Sequence, residues 1–436
     1  MNRLIIMSCK GGVRWKSMLW GLLVSWTMQA QPISVRTLPS PSPIPAGENV
    51  LLFPSGDSAF QPFFHKMDAL IFEGKQEINL VHVGGSHVQA GLLTDAIRYH
   101  MQSLAPGLAG ERGFFFPFTL ARTNNPPSYK VWTNQLDSWT GQRCSVPSHE
   151  GPWGVSGIRA WTRDSTVQVK IHSTEEPFRF HHLRVFAAPS DSSFGVVFDG
   201  GPDSVWYNTS LKACEAFYSQ AQDTVAFHLY RSHPDQSYFS LEGIQVMNDG
   251  IGLRYHALGT NGAATHSFLK CERFIDQLAA FPPDVMIFGL GINDAYKSAG
   301  RFDSTEYEAN YDSLMAWSRQ VNPACTFIFL TNNDSHYKGG YNPHGEVVYR
   351  CMMRLAQRNG AGVHDFYHLM GGARSMSYWI RQGWAARDGI HMTRAGYALQ
   401  ADWLAKAMTR WFLEEYQAPF RSTVPQPSTV DTRIQP

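Results

Sequence analysis

The sequence has little that points to a bound metal, a nucleic acid or a membrane interior. Its 436 residues include only 6 cysteines, and no two of them form a Cys-x-x-Cys pair. That spacing offers no zinc site, and no metal or other cofactor is expected. Charge is sparse and balanced, with 37 Lys+Arg against 36 Asp+Glu. A chain so close to neutral lacks the basic footprint of a nucleic-acid binder. Beyond Trp26 no apolar run is long enough to span a bilayer, so stable membrane insertion is not expected. No internal repeat is visible. What the chain does have is apolar material, 43% of residues, and many aromatics, 13% with 13 Trp. This suits one large domain or two to three ordinary ones, and excludes disordered, collagenous and coiled-coil classes.

The N-terminus reads as an export signal. Arg3, Lys10, Arg14 and Lys16 precede the apolar run Met18–Trp26, and Ala30 follows as a small residue at a plausible cleavage point. Without that segment the net charge falls from +1 to about −3. An uncleaved anchor is the alternative. Cys9 sits too close to the start to be a lipoprotein cysteine. Residues 1–30 are therefore read as signal and 31–50 as a Pro/Ser linker, and the location as exported, periplasmic or extracellular.

The remainder divides by periodicity. Ile78–Gly84 reads as a buried strand, followed by a helix carrying Leu92, Leu93, Ala96, Ile97 and Met101. From about 123 to 250 the period becomes two: Val167, Val169 and Ile171 alternate with Gln168, Lys170 and His172. After 250 strands and helices alternate again. Leu253–Leu258, Asp284–Leu290 and Cys325–Leu330 read as strands. Phe268, Cys271, Ile275 and Leu278 suggest one helix face, Asp303–Glu306 a helix start, Val347–Gln357 a helix, and Thr393 the cap of a last helix. The expected architecture is a three-layer α/β/α (flavodoxin-like) parallel sheet in two parts, 51–122 and 251–417. A β-rich domain, 123–250, of the size of one β-sandwich interrupts it. A tail, 418–436, is expected to be disordered. Cys144 and Cys214 share the β-rich segment and can pair in an oxidising compartment; Cys271, Cys325 and Cys351 read as buried thiols.

Four short motifs fall beyond the predicted strand ends, where parallel sheets place their sites. Gly84-Gly85-Ser86-His87 presents a hydroxyl after the first strand. Gly259-Thr260-Asn261-Gly262-Ala263 offers a backbone amide, and Gly291-Ile292-Asn293-Asp294 a side-chain amide; both are candidate oxyanion donors. Asp388-Gly389-Ile390-His391 precedes the last helix, with a base and its orienting carboxylate three residues apart. Each alone also reads as an ordinary turn or a helix cap. Their joint order resembles the SGNH subgroup of the GDSL hydrolases, over roughly 76–122 and 251–415. The resemblance implies Ser86 as nucleophile, His391 as base, Asp388 as third triad member, and the Ser86 amide, Gly262 and Asn293 as the oxyanion hole. One position departs: the family's Gly-Asp-Ser is Gly-Gly-Ser here, with Gly85 in place of the Asp.

The insert between the Ser and Gly blocks looks like that of bacterial peptidoglycan O-acetylesterases, which carry a carbohydrate-binding-module-like β-sandwich there. The segments Gly113–Pro117 and Phe239–Ile244 fit its junctions, and Trp132, Trp139, Trp153, Trp161 and Trp206 are candidates either for sugar stacking or for its core. The resemblance implies a serine esterase that releases acetyl groups from an O-acetylated glycan, the partner expected. Other readings are an acetylesterase of xylan or pectin, a lipid esterase or lysophospholipase, and a non-catalytic glycan-binding protein.

Overall fold

The computed structural model describes residues 48–187, 190–248 and 250–421. Residues 1–30, read as an export signal, most of the segment read as a linker and the tail beyond 421 lie outside the described residues. The strand order of the main sheet is Leu51–Leu52, Gly362–His364, Thr326–Leu330, Val285–Gly289, Glu77–Gly84, Gly252–Gly259. All neighbours run parallel except the short edge Leu51–Leu52. Buried on both faces, these strands must be apolar on both, which is why they read as near-continuous hydrophobic runs. Ile78, Leu80, Ile287 and Ile328 pack on one side against the helices Gln61–Glu73, Leu92–Gln102 and Arg394–Arg421. Val81, Val83, Met286, Phe288, Phe327 and Phe329 pack on the other against Ser304–Val321 and Gly345–Asn359. The result is the expected three-layer α/β/α arrangement. Truncating a ring such as Phe288 to Ala would cost about 3–5 kcal/mol, because close-packed neighbours cannot refill the space.

Helix boundaries follow local chemistry. The Asp303 carboxylate accepts the Thr305 and Glu306 amides, as its position suggested. Thr393 Oγ1 accepts the Gly396 amide at the start of the last helix. The helix Gln61–Glu73 is not marked in the sequence reading, though Phe63, Phe64, Met67 and Leu70 form its buried stripe and Pro62 stands in its first turn. The last helix reaches Arg421, so the first four residues assigned to the tail are helical.

Antiparallel sheets make up the β-rich region. One has five strands, Ser204–Asn208, Ala213–Gln222, Phe180–Phe186, Gly243–Met247 and Gly113–Phe115. A second has four, Tyr129–Thr133, Gln168–Ser173, Thr224–Tyr230 and Gly195–Phe198; a third has three, Phe239–Leu241, Ile158–Thr162 and Trp139–Arg143. They share one apolar core that includes Val169, Ile171, Leu183, Val185, Phe227 and Ile244, while Gln168, Lys170 and His172 face solvent as the period-two pattern requires. The five-stranded sheet takes a strand, Gly113–Phe115, from ahead of residue 123. Its other face carries Phe114, Phe186 and Ala213 into the same core as Phe281 and Leu278.

Two expectations are corrected. Phe268 to Leu278 is not one helix but two short ones, Thr265–Phe268 and Phe274–Leu278. The chain opens between them so that the Arg273 amide reaches Trp153 O at 3.2 Å, the Glu272 carboxylate takes the Trp153 amide at 3.0 Å, and the Arg273 guanidinium pairs with buried Glu242. These tertiary bonds outweigh helical periodicity. Cys144 and Cys214 are both free thiols. Cys144 points into the α/β core beside Cys271, whereas Cys214 packs against the core of the antiparallel sheets, so the two sulfurs serve different interiors.

Candidate active site

The site follows from sheet register. Glu77–Gly84 lies between Val285–Gly289 and Gly252–Gly259, with Gly84 opposite both Gly289 and Gly259. Three adjacent strands thus end level, and the residues just beyond them, Ser86, Thr260–Gly262 and Leu290–Asn293, emerge side by side.

Ser86 opens a short helix, Ser86–Gln89. Its Oγ lies 2.8 Å from His391 Nε2. His391 Nδ1 lies 2.7 Å from Asp388 Oδ2. The other carboxylate oxygen, Oδ1, accepts the amides of Ile390 at 2.9 Å and His391 at 3.0 Å. Burial alone would raise the Asp388 pKa, but the His391 side chain and these two amides outweigh it and hold the carboxyl below its ordinary value. An ionised Asp388 accepts the Nδ1 proton, which leaves Nε2 with a lone pair facing the Ser86 hydroxyl. The imidazole can then take that proton and make Oγ a nucleophile. The loop that carries the pair is pinned from outside: His336 N donates to Gly389 O at 2.7 Å and Asn333 Nδ2 to Ile390 O at 3.0 Å.

Three groups on the loops beyond these strands keep a donor hydrogen without a protein acceptor. Among the described residues, the amides of Ser86 and Gly262 donate to no protein group; the first is an orphan of its helix start. Asn293 Nδ2 gives one hydrogen to Ala263 O at 2.9 Å, leaving the second. Directed donors with no partner are what a developing oxyanion needs. The departure at Gly85 has a steric reading. A Cβ there would lie 3.1 Å from Asn293 Nδ2 and 3.3 Å from Ala263 O, so glycine lets the amide sit close. Asp294, next in the chain, is buried and fixes this loop by accepting the Thr265 amide and hydroxyl at 3.0 and 2.6 Å.

All five residues singled out by sequence are therefore drawn to one end of the sheet. The structure adds His87. Its Nδ1 meets Tyr397 Oη at 3.0 Å and its ring packs 5.3 Å from that of His391. Burial, then neighbouring His391, hold its imidazole well below the ordinary pKa. The motif contained His87, but nothing in the sequence gave it a role. Of the tryptophans named, Trp139 and Trp153 are core residues, while Trp132 and Trp206 are 48% and 41% exposed. Among the described residues, no group of three or more His, Cys, Asp or Glu is placed to hold a metal ion, and no helix is long and apolar enough to cross a membrane.

Residues 231–399 match the GDSL-like lipase/acylhydrolase family; the matched range holds Gly262, Asn293, Asp388 and His391 and leaves out Ser86. Over that segment the chain is similar to the GDSL-type acylhydrolases. The solved structure entitled "Peptidoglycan O-acetylesterase in action, 5 min" has the same fold, with TM-score 0.68 and 20% identity over 84% of this chain and 99% of that one. A carbohydrate esterase family 3 structure from Talaromyces cellulolyticus is 16% identical over 38% of this chain and 74% of that one, with TM-score 0.29. A GDSL-like lipase from Bacteroides thetaiotaomicron is 16% identical over 36% of this chain and 76% of that one, with TM-score 0.30. No curated protein matches the chain.

Proposed function

We propose that the protein is an exported serine esterase that removes O-acetyl groups from a carbohydrate polymer, with peptidoglycan as the substrate. The observation that carries the esterase reading is the continuous Ser86–His391–Asp388 hydrogen-bond chain, with the unpaired Ser86 and Gly262 amides and the second Asn293 hydrogen beyond the same strand ends. Ser86 Oγ attacks the acetyl carbonyl while His391 Nε2 takes its proton. The negative charge on the carbonyl oxygen is met by the Ser86 and Gly262 amides and the free Asn293 hydrogen. The tetrahedral intermediate collapses to acetyl-Ser86 as His391 returns the proton to the departing sugar hydroxyl. Water, deprotonated by His391, then releases acetate and restores Ser86. Asp388 keeps His391 in the tautomer each step needs.

The glycan and the compartment rest on two further supports. The fold extends over nearly the whole of a peptidoglycan O-acetylesterase, including the antiparallel sheets that here read as an inserted β-sandwich. The charged-apolar-small order of residues 1–30 supports export.

The test compares acetate release from O-acetylated peptidoglycan, acetylated xylan and p-nitrophenyl esters of increasing acyl length. The proposal expects peptidoglycan to be preferred and turnover to fall beyond acetyl. Ser86→Ala should lower every rate about 10³-fold or more, because a triad acts as a unit. Preference for xylan would move the substrate, rising rates with chain length would make the protein a lipid esterase, and turnover independent of Ser86 would end the serine mechanism.

A further inference from the structure

We infer that Ser145, from the antiparallel region, is a positioning residue for the oxyanion hole: its hydroxyl clamps the peptide whose N–H, that of Gly262, faces the reacting oxygen. The inference rests on the esterase reading above. Ser145 Oγ donates to Asn261 O at 2.7 Å. Asn261 C=O and Gly262 N–H are opposite ends of one planar peptide, so holding the carbonyl fixes the direction of the amide. The bond also draws electron density toward that oxygen, which makes the N–H at the other end a stronger donor.

The clamp is needed because of what Gly262 is. It sits at φ +77°, where glycine is at ease but has no strong preference over its other conformations. Its backbone direction must therefore be set from outside. Everything around Asn261 supplies this. Its amide donates to Gln89 Oε1 at 2.7 Å, one turn from Ser86. Its side-chain Nδ2 donates to Asn124 Oδ1 at 2.6 Å and Thr123 Oγ1 at 3.2 Å. The hydroxyl of Thr260 donates to Ser156 O at 2.6 Å. Among the described residues, Ser145 alone bonds the Asn261 carbonyl, the other end of the peptide that carries the oxyanion amide. It follows the strand Trp139–Arg143, so the antiparallel region reaches into the chemistry as well as flanking it.

The experiment uses the purified protein with p-nitrophenyl acetate, and a small alkylboronic acid as a probe of the tetrahedral state. Ser86 Oγ adds to boron while His391 takes its proton, and a boron-bound oxygen occupies the hole. Losing a whole oxyanion donor costs about 10²–10³-fold, and weakening one by removing its cooperative partner should cost less, about tenfold. Ser145→Ala should therefore lower kcat about tenfold with KM little changed, and weaken boronate binding by the same factor. Ser145→Thr should restore both. Ser145→Val matches Thr in shape and lacks the donor, so it should behave like Ala and covers the case in which Ala perturbs folding. Equal kcat for the Thr and Val variants, or a rise in KM alone, overturns the role of Ser145. If the unaltered protein shows no Ser86-dependent turnover, the esterase reading fails and takes the inference with it; Ser86→Ala in the same assay tells the two failures apart.

Discussion

Asp388 offers the sharpest test of the triad, because its two oxygens do different work. Oδ1 is committed to the Ile390 and His391 amides, and Oδ2 faces His391 Nδ1 at 2.7 Å. In Asp388→Asn the backbone amides can be satisfied only by the remaining carbonyl oxygen. The new NH₂ group is then forced toward Nδ1, where it donates instead of accepting. His391 must place its proton on Nε2, the nitrogen that should receive the Ser86 proton. Asp388→Ala removes the carboxylate without imposing the wrong tautomer, and at 47% side-chain exposure water can enter to accept from Nδ1. The order is therefore wild type, then Ala, then Asn. The Ala variant should lose about 10²–10³-fold in kcat and the Asn variant about 10⁴-fold, the scale of a misplaced tautomer in a serine triad. The assay is steady-state hydrolysis of p-nitrophenyl acetate from pH 6 to 9, with a thermal melt for each variant. An Asn variant as active as the Ala variant would refute the argument, because the backbone amides would then not be dictating the orientation of residue 388.

Further expectations follow from the same geometry. Asn293→Ala should lower kcat about 10²–10³-fold with little change in KM, since its free hydrogen serves charge that exists only in the transition state; a rise in KM at constant kcat would make it a ground-state contact. Burial alone would raise the Glu215 pKa, but bonds from His182, Arg184 and Asn208 bring it down to about 2. A lowered carboxylate stabilises the fold above its ordinary pKa of 4.5 and loses that contribution as pH falls toward about 2. Glu215→Gln should therefore cost about 3 kcal/mol at pH 7 in urea unfolding, and less than half of that by pH 3; a gap constant over this range would contradict the assignment. Trp132→Ala or Trp206→Ala should cost about 1–3 kcal/mol on acetylated polymer and nothing on p-nitrophenyl acetate if either ring stacks on sugar, whereas parallel losses would leave the antiparallel sheets as scaffold.

The sequence carried the layers of the main sheet well, for a physical reason. Strands buried on both faces leave apolar runs that few other structures need, and Asp284–Leu290 and Cys325–Leu330 come within a residue of the observed strands. Side-chain alternation served equally for Gln168–Ser173. What stayed hidden depends on partners far along the chain. The break between Phe268 and Phe274 is set by Trp153 and Glu242, and the separate destinations of Cys144 and Cys214 are set by which core each strand faces. Ser145 and Gln89 carry no motif at all; each matters because of where Asn261 happens to fold. Polar residues that act through a single distant bond leave no period to read.

The candidate site escaped this difficulty because order, unlike spacing, survives insertion. Gly259 is the register partner of Gly84, so the chain that leaves the sheet after Gly84 returns on the strand immediately beside it. The chain between leaves at the end where Gly84 stands and re-enters at the opposite end, where Gly252 pairs with Glu77, and its length does not alter where Ser86 and Gly262 finally stand. A long gap between the first and second motifs therefore counts nothing against their meeting. The constraint that does count is that each motif must directly follow its strand, because a few extra residues there would carry the hydroxyl or the amide out of reach. Ser86, Gly262 and Asn293 all satisfy it, and His391 is held within 2.8 Å of Ser86 Oγ by a loop fixed independently through His336 and Asn333. The loop after Trp139–Arg143 nevertheless reaches the end where Ser86 stands, since Ser145 there bonds the Asn261 carbonyl. A hydroxyl such as that of Ser145 can thus come to bear on the oxyanion peptide without any change to the sheet itself.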